Sequence, residues 1–108
     1  MYREIPERDW KHWRKLSAVA LERFCDRILD DAAEFAQGTG TAHSRYLELF
    51  RFIRERDEEI AQVFNGQRRS SAYQQIAAAV AIGIVIPAEL DGFSEETRKV
   101  IRVLSGEP

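Results

Sequence analysis

Apolar residues recur along this chain at steps of three and four. From Asp9 to about Gln37 they are Trp13, Leu16, Ala20, Phe24, Ile28, Ala32 and Phe35, a spacing that lines one face of a 3.6-residue helix. No proline or glycine interrupts the run; Asp9 is the expected N-cap, and Gly38 and Gly40 supply the stop. After Gly38-Thr39-Gly40-Thr41 the rhythm resumes at Tyr46, Leu49, Phe50, Ile53, Ile60, Val63 and Phe64, until Asn65-Gly66 closes the segment. This predicts a second helix. Its polar stretch Arg54 to Glu59, with Asp57 close to the apolar line, marks a point where it could break.

Ser70 or Ser71 is suited to cap a third helix through Tyr73, Ile76, Ala77, Val80, Ala81 and Ile84. Val80 to Ile86 also fits a buried strand, but alanines at positions 77–79 favour the helix. Pro87 fits the first position of a short helical turn ending near Asp91-Gly92. Ser94 then caps a last helix, with Glu95 and Glu96 at its positive end and Thr97, Val100, Ile101 and Leu104 facing inward. The expected fold is all-α: a small bundle of four main helices, the N-terminal one long, plus a short helical turn. One domain over residues 1–108 accommodates it, with 1–8 as an N-terminal arm and 105–108 as a tail.

Composition agrees with one folded core. Hydrophobic residues make up 44% and charged residues 31%, too apolar for disorder and too charged for a membrane protein throughout. The longest apolar run, Ile76 to Ile86, has eleven residues, against the roughly 20 that cross a bilayer. No membrane association is expected. The first residues carry acids and no apolar core of the export type, and a lone cysteine, Cys25, rules out an intrachain disulfide framework. Both point to the cytoplasm.

Catalytic or metal chemistry would have to come from Cys25, His12, His43 and the acids. Cys25 sits at the edge of the first helix's apolar face, where a thiol acts as a small hydrophobe. His12 projects opposite that face, and His43 lies at a helix start beside Ser44; the two histidines have no ligand spacing. Glu22, Asp26, Asp30 and Glu34 step by four into one acidic ridge. An enzyme or metal site would combine His43 with this ridge, but solvation explains the ridge as well. No phosphate-binding glycine motif is present, so no cofactor is expected.

A formal net charge of -2 leaves no overall footprint for nucleic acid. The local foothold is Arg68, Arg69 and Ser70 at a helix start, where guanidinium groups and free amides could hold a phosphate. Ala79 and Gly83 are similar in spacing to a helix-turn-helix, yet Pro87 to Asp91 is too short for a recognition helix. A small nucleic-acid-binding or regulatory protein is therefore the alternative, and nucleic acid is not the expected partner.

Charge layout is more informative. Residues 8–17 carry Arg8, Lys11, Arg14 and Lys15 against Asp9, a net charge of +3; residues 22–34 carry Glu22, Asp26, Asp30, Asp31 and Glu34 against Arg23 and Arg27, a net of -3. That order opposes the helix dipole, whereas a second, antiparallel copy would match it. Some 28 helical residues reach about 42 Å, longer than the roughly 34 Å diameter of a compact chain of this size. The helix should overhang its core, with Trp10 and Trp13, and Tyr2 and Ile5 nearby, at the overhang. The leading expectation is a non-enzymatic protein-interaction module. It forms a homodimer through the first helix, using Trp10, Lys11, Trp13, Arg14, Lys15, Glu22, Asp26, Asp30 and Glu34.

Overall fold

The computed structural model describes residues 4–106. Within them the chain forms α1 (Glu7–Gln37), α2 (Ala42–Phe64), a 3-10 turn (Arg69–Ser71), α3 (Ala72–Ile82), α4 (Pro87–Leu90) and α5 (Glu95–Leu104), with no strand among the described residues. The expected all-α bundle of four main helices and one short turn is the observed fold. Tyr2 and the last two residues of the expected tail lie outside the described residues.

Local signals explain most boundaries. At Gly38 the backbone N–H returns to the Phe35 carbonyl, and Thr41 opens α2 by accepting the Ser44 N–H at 3.1 Å. The helix α2 runs unbroken through Asp57. The residues around it are good helix formers, and Arg56 pairs with Glu59 at 2.7 Å one turn away, so a polar stretch becomes the solvated face of one continuous helix. The end of α3 is Gly83, at φ +84, where only glycine avoids strain. Ile84 and Val85 beyond it are buried without forming a strand. Pro87 starts α4, and Ser94 caps α5 by accepting the Thr97 N–H at 3.3 Å.

Asp9 does not cap α1. That helix begins two residues earlier, at Glu7, behind Pro6. Asp9 is instead fully buried and faces the start of α5.

The core gathers Ile5, then Trp13, Leu16, Ala20, Phe24 and Ile28 of α1, Val63 of α2, Tyr73, Ile76 and Ala79 of α3, Ile84, Val85 and Phe93 from the connections, and Ile101 of α5. Every fully buried residue of α1 lies at or before Ile28, and Val63 is the one such residue of α2. The later third of α1 and the first half of α2 therefore extend past the core as a two-helix hairpin arm. The molecule measures 51 × 27 × 24 Å, with a radius of gyration of 16.3 Å against about 13 Å for a compact chain of this length. An overhang exists, but at the opposite end of α1 from the tryptophans.

Candidate docking face on the projecting hairpin

One flank of α1 carries Asp9, His12, Arg23 and Arg27, spaced so that all four meet the returning chain after α3. The Asp9 carboxylate accepts the Ser94 N–H at 2.9 Å, the Ser94 hydroxyl at 2.6 Å and the Thr97 hydroxyl at 2.5 Å. His12 Nε2 donates to the Glu89 carbonyl at 2.9 Å, and its ring stands edge-on to Phe93 at 4.5 Å. Arg23 donates to the Ile84 carbonyl at 2.6 Å and holds the Glu89 carboxylate through two bonds of 2.9 and 3.0 Å. Arg27 donates to the carbonyls of Ile82 and Gly83, the orphan acceptors at the end of α3.

These bonds set the charge states. Burial pushes the Asp9 carboxyl up, but the bonds from Ser94 and Thr97 together outweigh it and hold it below the usual carboxylate range. Glu89 is lowered mainly by the Arg23 guanidinium, against a smaller opposing effect of burial, and Arg23 is raised by the same pair. These groups are spent on holding the chain from the end of α3 to the start of α5 against α1, which makes the cluster a structural clasp. His12, expected to point away from the packed face, is part of it.

The arm is built differently. Its inner seam is Phe35 of α1 against Phe52 of α2, ring centres 4.9 Å apart, with the Arg56 guanidinium 5.2 Å from the Phe52 ring and Arg45 donating to the Ala36 carbonyl. On the outer side of α2 lie Tyr46, Leu47, Phe50 and Ile53, which remain 61%, 44%, 51% and 41% exposed. Tyr46 and Phe50 stack with centres 6.4 Å apart, and Arg54 lies 5.8 Å from the Phe50 ring. A shallow groove of about 350 Å³ runs beside them, lined by Leu47, Phe50, Arg51, Arg54, Glu55 and Glu58. Leu29 on α1 adds further exposed apolar surface to the arm. These side chains make an exposed apolar ridge rimmed by Arg51, Arg54, Glu55 and Glu58.

The residues expected to serve self-association are scattered by comparison. Trp13 is fully buried in the chain's own core and has no surface to offer a partner. Trp10 is half-buried with the Arg14 guanidinium 6.0 Å from its ring, and Lys11 pairs with Glu7 at 3.9 Å. Lys15 is exposed, as are Glu22 and Asp26 beside the core and Asp30 and Glu34 on the arm. Arg69 is not free for phosphate: its Nε and Nη2 donate to the Ile5 carbonyl at 3.2 and 2.7 Å. Arg68 and Ser70 are exposed beside it. His43 is exposed at the start of α2, and among the described residues no three His, Cys, Asp or Glu side chains gather as a metal site. No helix among the described residues is long and apolar enough to cross a membrane.

The outer ridge of α2 was within reach of the periodicity. Tyr46, Phe50 and Ile53 form one stripe, while Leu49, Phe52, Ile60 and Val63 form another beside it. Together they span more of the helix than a single neighbouring helix can cover. Comparison with known proteins finds no family model, no curated protein and no solved structure that matches this chain.

Proposed function

We propose that the protein is a non-enzymatic interaction module whose working surface is the hairpin arm of α1 and α2. The observation that carries this reading is the exposed ridge Tyr46, Leu47, Phe50 and Ile53, which no third helix among the described residues covers. The clasp supports the same division of labour. It ties α1 to α4 and α5 at one end and leaves the other end to project. A cytoplasmic setting suits a half-buried, free Cys25 that would be liable to oxidation elsewhere. Nucleic-acid binding through Arg68, Arg69 and Ser70 is the weaker reading, because Arg69 is committed to Ile5.

A photoreactive benzoylphenylalanine placed at Tyr46 tests this in cells. A discrete cross-linked adduct is expected from position 46 and none from the same group placed at Glu96, on the exposed side of α5. Absence of any adduct at 46 would remove the arm as a docking surface.

A further inference from the structure

We infer that the pocket between α3, α4 and α5 binds a small amphipathic carboxylate, with Arg98 and Arg102 taking the carboxylate and Val80, Leu90 and Ile101 its apolar body. None of these residues belongs to α1 or α2, so the site does not rest on the docking reading of the arm.

One face of α5 supplies both parts of the site. Arg98, Ile101 and Arg102 are three and four residues apart, which sets an apolar side chain beside two guanidinium groups on the pocket wall. Val80 from α3 and Leu90 from α4, both half-buried, continue the apolar surface around Ile101. The space between them is about 260 Å³, below the roughly 300–1,000 Å³ of pockets for drug-sized ligands. That volume suits a small molecule.

Charge selects an anion. Arg98 and Arg102 stand one turn apart on α5, where like charges repel, whereas Lys99 between them is paired with Glu95. The negative end of the α5 dipole accounts for Arg102, in the last turn, but not for Arg98 a turn earlier. Arg98 has one acid within reach: its Nη1 lies 3.5 Å from the Asp91 carboxylate, which is 76% exposed. Such a contact is at the limit of a hydrogen bond and weakly held in water. The Nε of the same guanidinium is buried and meets no acceptor among the described residues. Arg102 engages Ser105 only through its carbonyl, which leaves its guanidinium without a partner among the described residues. Two guanidinium groups against Asp91 give the pocket a net charge of +1. A monoanion cancels it, and the planar fork of a guanidinium matches the two oxygens of a carboxylate; a dianionic phosphate would overshoot it and press against Asp91.

Titration of the full chain, followed by its amide NMR shifts, tests the site. Octanoate carries both parts of the ligand, acetate the charge without the body, and octanamide the body without the charge. Octanoate should give saturable shifts centred on Val80, Leu90 and Ile101 with a Kd of about 1 mM or below, and acetate and octanamide should bind at least about tenfold more weakly. Arg98→Met with Arg102→Met should weaken octanoate about tenfold while the helical circular dichroism and the binding of octanamide stay unchanged. Asp91→Asn removes the competing acid and should tighten octanoate by about two- to threefold, a gain that a purely structural Arg98–Asp91 pair does not predict. The assignment is overturned by no saturable shift with octanoate up to about 10 mM, by octanamide binding as tightly, or by unchanged octanoate affinity in either the arginine or the Asp91 variant. Tighter binding of octyl phosphate than of octanoate would also overturn it.

Discussion

Thr97 donates to Asp9 across 88 positions of sequence, at 2.5 Å, and the same carboxylate takes the Ser94 hydroxyl and backbone N–H. One acid near the start of the first helix thus braces the Ser94 cap of the last one, where its charge also faces the positive end of the α5 dipole. Asp9→Ala leaves two hydroxyls and an amide without their acceptor. Thermal unfolding should show a loss of about 2–3 kcal/mol, with Tm lower by on the order of 10 °C. A loss confined to a few tenths of a kcal/mol would show that the cap does not hold α5 in place.

Acid should undo the clasp. The carboxyls of Asp9 and Glu89 are held below their ordinary values in the folded protein. Their contribution to stability is therefore complete above the unfolded-chain value of about 4 and is lost as pH falls through that value toward the depressed ones. Urea midpoints measured from about pH 6 to about pH 3 should decline, and the decline should flatten in Asp9→Asn and in Glu89→Gln. An unchanged slope in both variants would place the acid sensitivity elsewhere.

Gly92 lies under the His12 ring: a β-carbon added there would meet His12 Nε2 at 2.5 Å. The ring cannot swing aside freely, since it is bonded to the Glu89 carbonyl and packed on Phe93. Gly92→Ala should cost about 1–3 kcal/mol by overpacking. His12→Ala in the same chain should recover part of that loss, giving a coupling energy in a double-mutant cycle. Additive effects would mean that the two positions do not compete for space.

Arg23→Met keeps the aliphatic stem while removing the bonds to Glu89 and to the Ile84 carbonyl. The expected cost is about 1–2 kcal/mol, moderated because the pair is partly exposed to solvent. Measured in a Glu89→Gln background, most of this cost should vanish.

How much of this was legible in the sequence depends on how far each interaction reaches. Ser94 and Pro87 act within one turn of themselves, so residue type and position predict the boundaries they make; Gly83 acts as locally, but the apolar run through Ile84 hid the stop it makes to α3 at Ile82. Asp9 shows the limit. An acid ahead of an apolar run reads as a cap for the helix that follows, and no local pattern reveals that its true ligands are Ser94 and Thr97. His12 fails for the same reason: its place beside Phe93 and Gly92 exists only once the chain has returned. The arm is an intermediate case. Periodicity finds Tyr46, Leu49, Phe50 and Ile53 but passes over Leu47 and Phe52, and it does not say which stripe α1 covers; that choice left Tyr46, Phe50 and Ile53 outside. The length of α1 correctly implied an overhang, whereas the position of the tryptophans suggested the wrong end for it.

Stability is consequently distributed unevenly along α1. Near Trp13 the helix is held by core packing and by the Asp9 and His12 bonds; beyond Ile28 it leans on a single partner, mainly through Phe35 and Phe52. Amide hydrogens along one continuous helix should then exchange at graded rates, slow between Trp13 and Ile28 and faster toward Gln37, because opening the tip disturbs little buried surface. The arm can fray and reseal while the remainder of the molecule keeps its shape.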